Sequence, residues 1–144
     1  MSNELRIYRT EMISNDGRIT RFAYDEEGDI LELVFDNVEA TCAIELTDDV
    51  LLRFDLEHEQ AAGLTILDFS TLTSSTEIGP ESFPVTGLAD LPEELRRTVV
   101  KILTSPPVNC FLKLTCYSTT PTERIPLTYV ERPPALAALA PAIP

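Results

Sequence analysis

His58 is the only histidine in the chain, and Asp55, Glu57 and Glu59 flank it. A carboxylate that orients an imidazole is half of a general-base arrangement. Neighbours within one turn point apart, however, and no nucleophile is placed beside them. A solvated loop histidine is therefore the favoured reading. Asp25-Glu26-Glu27-Gly28-Asp29 invites a calcium reading. It lacks the alternating D-x-[DN]-x-[DN]-G ligand spacing and a later bidentate glutamate. A polar hairpin turn accounts for it. Cys42, Cys110 and Cys116 are odd in number and match no zinc spacing, so they read as buried small hydrophobes. No phosphate loop, dinucleotide fingerprint, nucleophile elbow or H-E-x-x-H motif occurs. These residues assign no catalytic group, no metal ligand and no cofactor. Whether the protein is an enzyme stays open, with the balance against it.

Charge is more informative. The chain of 144 residues carries a net −13. Residues 25–69 hold fourteen acidic groups against Arg53 alone, while the flanking parts nearly balance. Such a field opposes nucleic acid and anionic lipid and favours cationic partners. No run of 18 apolar residues exists to span a membrane. The N-terminal stretch has no apolar leader core, so the expected compartment is the cytoplasm of a bacterial cell.

The elements that would carry these residues follow from periodicity. From Arg18 the apolar period is 2. Phe22 and Tyr24 face one way. After a turn at Glu27-Gly28, so do Leu31, Leu33 and Phe35. If Tyr24 pairs with Leu31, Phe22 meets Leu33. Cys42, Ile44 and Leu46 continue that face, then Val50, Leu52 and Phe54, then Leu64 and Ile66. Residues 57–62 form a longer loop. This predicts an α+β fold: an antiparallel β-meander of about five strands over residues 18–70, with a packed amphipathic helix and a C-terminal β-hairpin. Residues 1–17 are an arm or an extra strand folded back by Asn15-Asp16-Gly17.

Residues 71–131 supply a linker, the helix and the hairpin, all in the same domain. The helix is expected over residues 90–104, with Asp90 as N-cap, Glu93 completing a capping box, and a stripe of Leu95, Val99, Ile102 and Leu103. Pro126 suits an edge strand. The Pro/Ala-rich residues 132–144 read as a disordered tail.

The outer face of the sheet mixes Ile30, Val34, Ala43 and Leu51 with charges. A half-apolar face calls for a cover, from the C-terminal half or a second subunit. Arg53 is expected to pair diagonally with Glu45. The expected function is a non-enzymatic protein–protein interaction module presenting an acidic sheet surface, with Glu32, Glu45, Leu51, Arg53 and Asp55 as contact residues. Its partner is a basic protein or a second copy in a homodimer. The alternatives are a small metal-dependent enzyme or ligand-binding domain using Asp25–Asp29 and His58, and a structural subunit of a larger assembly.

Three blocks carry a resemblance. They are Tyr24-Asp25-Glu26-Glu27-Gly28-Asp29-Ile30-Leu31-Glu32-Leu33, then Val50-Leu51-Leu52-Arg53-Phe54-Asp55, then Gly63-Leu64-Thr65-Ile66-Leu67-Asp68-Phe69-Ser70. In order and spacing, residues 20–70 resemble the bacterial family called domain of unknown function 2283. The resemblance implies a compact β-meander and carries over no catalytic residues. The loop Glu57-His58-Glu59-Gln60-Ala61-Ala62 departs from the family's short acidic turn, which bears on the register of the last hairpin.

Overall fold

The computed structural model describes residues 7–14, 17–72, 75–76, 79–80, 83–118 and 124–130. The expected tail at 132–144, residues 1–6 of the arm, and the Asn15-Asp16 half of its turn lie outside them. The elements are β1 (Ile7–Ile13), β2 (Ile19–Asp25), β3 (Ile30–Phe35), β4 (Cys42–Thr47), β5 (Val50–Asp55), β6 (Gln60–Ile66), the single turn α1 (Phe69–Leu72), β7 (Ser75–Thr76), β8 (Gly79–Pro80), β9 (Phe83–Pro84), α2 (Glu93–Leu103), β10 (Leu112–Ser118) and β11 (Arg124–Val130).

The period-2 runs form an antiparallel sheet of six strands in the order β1-β2-β3-β6-β5-β4. Residues 7–13 are the extra strand, paired with β2 throughout. Tyr24 lies opposite Leu31 and Phe22 opposite Leu33, the register that the apolar pattern requires. Each half is a three-stranded meander, and β3 meets β6 at the centre. An approximate two-fold normal to the sheet relates β1-β2-β3 to β4-β5-β6. The turns agree with it. Both run six residues from an aspartate, Asp25 to Ile30 and Asp55 to Gln60. Both bring their fifth residue to positive φ, Asp29 at 54° and Glu59 at 52°. The two turns therefore sit at opposite ends of the sheet.

The last hairpin starts earlier than the sequence pattern suggests. Residues Ala61, Ala62 and Gly63 belong to β6, and the register with β5 shifts between Arg53 and Phe54. One extra residue is accommodated there as a bulge, in the segment that departs from the family pattern. Gly63 is required at this point, because a Cβ would lie 2.7 Å from the Leu33 carbonyl oxygen.

Phe22, Tyr24, Leu31, Leu33, Phe35, Leu46, Val50, Leu52, Phe54, Leu64 and Ile66 are buried on one face. Helix α2 covers it with Val99, Ile102 and Leu103 buried and Leu95 packed alongside. At about 1.5–3 kcal/mol per aliphatic side chain, these residues suffice to dock a three-turn helix. Phe111 follows the helix and packs between Phe22 and Phe35, at centroid distances of 5.5 and 6.0 Å.

Asp90 does not cap the helix. Pro92 occupies the N-cap position without a side-chain bond, at φ −55° and ψ 150°. Proline's ring holds that extended geometry, so helical hydrogen bonding starts after it and Asp90 is left outside. Arg96 instead donates to the carbonyls of Leu88, Ala89 and Leu91, tying the incoming loop to the first turns. Cys110 lies in a short 3-10 turn rather than a strand, and is exposed rather than buried. The C-terminal hairpin pairs β10 with β11 and adds β9, making a separate three-stranded sheet. β11 is therefore the middle strand rather than the edge that Pro126 suggests; β9 pairs only with its Leu127 and Thr128, so among the described residues no partner on that side needs the N–H that Pro126 lacks.

Candidate functional site

Strand alternation sends the other set of side chains to the outer face, and the register arranges them in two rows across all six strands. One row reads Arg9, Ala23, Glu32, Thr65, Leu51, Glu45. The next reads Glu11, Arg21, Val34, Gly63, Arg53, Ala43. Four of the five expected contact residues, Glu32, Glu45, Leu51 and Arg53, fall in these rows. Glu32 and Glu45 are exposed and three strands apart, about 14 Å. Thr65 and Leu51 lie between them.

Gly63 on β6 carries no side chain at the middle of this face. The Arg53 guanidinium lies over it, so that a Cβ there would sit 2.7 Å from Nη2. This explains why the expected Arg53–Glu45 pair does not form among the described ion pairs. Glu45 is diagonal to Arg53 in the register, but the guanidinium packs toward β6, where no side chain competes for the space. Thr65 adds a buried Oγ1 without a hydrogen-bond partner among the described residues. Val34 is 41 % exposed, and Ala43 is exposed as well. Among the described residues, the face thus joins exposed apolar area to isolated charges, whereas the opposite face is packed.

Most of the acidic charge lies elsewhere. Of the fourteen acids in residues 25–69, only Glu32 and Glu45 stand in strand interiors on this face. The others are in turns and at strand ends, concentrating the negative field at the two ends of the sheet.

Asp55, the fifth expected contact residue, ends β5 and is engaged in its own turn. Its Oδ1 accepts the Glu57 N–H at 3.1 Å, and Oδ2 lies 2.6 Å from His58 Nδ1. That bond holds the Asp55 carboxyl below the usual carboxylate range. The same bond, followed by the charges of Asp55 and Glu57, raises His58 above the usual imidazole value. Beside this turn is a cleft of about 550 Å³ lined by Arg18, Asp36, His58, Glu59, Lys101 and Ser105, among others. The Lys101 Nζ to Glu59 Oε2 ion pair, 2.7 Å long, bridges α2 to the turn across it.

At the other end, Asp29 joins three distant pieces of chain. Its carboxylate accepts from the Tyr24 hydroxyl at 2.6 Å and the Ser70 hydroxyl at 2.5 Å, and from the Ser70 N–H at 3.1 and 3.2 Å. Its carbonyl accepts from the Phe69 N–H at 3.0 Å. Sequence inspection missed this group; the signal was available, because Tyr24, Asp29 and Ser70 all stand in the blocks that carry the family resemblance. The arrangement ties β2, the turn between β2 and β3, and the start of α1 together. Asp25 serves the same turn by accepting from the Glu27 and Gly28 N–H groups. The acidic turn is therefore committed to structure, and His58 is a strand length away, roughly 17 Å. The two do not form one site. Among the described residues, no cluster of three His, Cys, Asp or Glu side chains could hold a metal ion. None of the described helices is long and apolar enough to cross a membrane.

Residues 21–70 match the family model described as "Protein of unknown function (DUF2283)". The match runs from β2 to the first residues of α1 and includes the whole Tyr24–Asp29–Ser70 tie. Strand β1, the helix α2 and the C-terminal sheet lie outside it. No curated protein and no solved structure matches the chain.

Proposed function

We propose that the protein is a non-enzymatic interaction module whose outer sheet face docks a protein partner carrying basic and apolar side chains. One observation carries the reading: the same six strands are packed on one face, while the other exposes Val34 beside Glu32 and Ala43 beside Glu45, with a half-buried Leu51 between the two carboxylates. Apolar area without a cover favours association, and flanking carboxylates select cationic neighbours and speed encounter. The Arg53 guanidinium lies over Gly63, where it can donate to a carboxylate or stack on an aromatic ring of the partner. Charge-assisted docking of this kind weakens with salt. Affinity capture at about 50 mM and about 300 mM salt tests it. A basic protein retained at low salt, and lost when Glu32 and Glu45 are replaced by lysine, is the expected result. Recovery of the same proteins by both forms, or of none that is basic, contradicts it.

A ligand-binding reading has one observation in its favour, the cleft beside the His58–Asp55 pair. It does not use the Asp25–Asp29 turn. Perturbation of the His58 ring signals in NMR spectra by small-molecule mixtures, abolished in Lys101→Ala, would support it; unchanged spectra would dismiss it.

A further inference from the structure

The two edges of the six-stranded sheet are managed differently. At the β4 edge, residues 86–88 lie against the strand, and Gly87 approaches the Glu45 carbonyl so closely that a Cβ would overlap it. At the β1 edge nothing comparable is present among the described residues. The hydrogen bonds fix which backbone groups are left over. The Ser14 N–H donates to the Arg18 carbonyl, and the Asp36 N–H donates to the Ile19 carbonyl. Ile19 thus bonds toward β3, so its opposite number Ile13 does not bond to β2. By the alternation of an antiparallel ladder, the N–H and C=O groups of Ile7, Arg9, Glu11 and Ile13 point away from the sheet. A seven-residue edge with four such residues is a template for another strand.

The sequence of that edge specifies which strand. It reads Ile7-Tyr8-Arg9-Thr10-Glu11-Met12-Ile13. In an antiparallel pair of identical strands related by a two-fold, the axis must pass at a residue, because opposed side chains share a face. An axis at Arg9 opposes two arginines, and an axis at Glu11 opposes two glutamates. An axis at Thr10 instead opposes Arg9 to Glu11 of the second copy, twice. It also sets Ile7 against Ile13 and Tyr8 against Met12, covering an Ile13 that is 67 % exposed and a Tyr8 that is 38 % exposed. Charges on an edge normally guard it against pairing. Here they oppose the two registers next to the one centred on Thr10 and favour that one, which also pairs all seven residues of the strand.

We infer that β1 pairs with β1 of a second copy, centred on Thr10, to give an isologous dimer with a continuous sheet of twice six strands. Arg9 and Glu11 stand at the β1 end of the two outer-face rows, four strands from Leu51 and Arg53 on β5, so variants at the edge and variants at Glu32, Leu51 or Glu45 test this dimer and the proposed outer-face docking separately.

Light scattering behind size exclusion tests it on the full chain. Wild type is expected at twice the 16.0 kDa chain mass. Arg9→Glu alone and Glu11→Arg alone each oppose like charges at both sites and are expected at the single-chain mass. The double variant Arg9→Glu/Glu11→Arg restores the complementarity and the dimer. An equimolar mixture of the two single variants forms a mixed dimer. Glu11→Pro removes an N–H that points outward, so the strand keeps its bonds to β2, circular dichroism stays unchanged, and the dimer is lost. Wild type at the single-chain mass at concentrations of hundreds of micromolar, or single variants and Glu11→Pro that dimerise like wild type, would overturn the inference. In either case capture by the outer face is measured independently.

Discussion

His58 and Asp55 hold each other across a single turn, and their shifts have opposite signs. The raised His58 contributes fully below its unfolded pKa, and that contribution is lost as pH rises through the folded value. The lowered Asp55 contributes fully above its unfolded pKa and is lost as pH falls through the folded value. The turn is accordingly tightest between the ordinary carboxylate and imidazole values. NMR titration should find His58 above the usual imidazole pKa, and Asp55→Asn should return it toward that value. A His58 pKa unchanged by the substitution would show that the bond is not the cause. Because the His58 side chain is 63 % exposed, solvent screens the pair and the effect belongs to local order rather than to global stability. A second prediction at this scale concerns Gly63. A methyl there meets both the Leu33 carbonyl and the Arg53 guanidinium. The guanidinium can move and the carbonyl cannot, so Gly63→Ala should cost about 1–3 kcal/mol in denaturant unfolding.

At the scale of elements, the tie through Asp29 connects residues 41 positions apart in sequence. Asp29→Ala leaves the Tyr24 hydroxyl, itself fully buried, without that acceptor. The expected loss is about 2–4 kcal/mol, with Ser70→Ala costing less because it removes one donor and strands none. Equal stabilities of wild type and Asp29→Ala would refute the tie. This is also where legibility in the sequence divides. The pairing of Tyr24 with Leu31 was readable because alternation and a glycine turn agree on one register. The start of β6 was not, since Ala61-Ala62-Gly63 looks like loop until the bulge and the close Leu33 carbonyl are known. The Asp90 cap was misread because a capping box is recognised by spacing alone, and Pro92 between its members shifts the helix start. The lateral rows of the outer face needed the strand order, in which β6 rather than β4 lies beside β3. Periodicity fixes faces; it does not order strands.

For the whole molecule, the question is where a chain with net −13 meets its partner. Composition placed the acids in residues 25–69 but not within the fold. The structure sends most of them to the ends of the sheet and leaves the outer face half apolar, with Glu32 and Glu45 as the strand-interior carboxylates that residues 25–69 contribute to it. Two surfaces with different chemistry result, and the proposed docking belongs to the face. The most direct test compares two full-length variants in the same capture experiment, each verified as folded by circular dichroism. Val34→Glu/Leu51→Glu charges the face; Asp48→Ser/Asp49→Ser neutralises a turn. Outer-face docking predicts that the partner bound by wild type is lost with the first variant and kept with the second. Retention by the face variant and loss with the turn variant would contradict it.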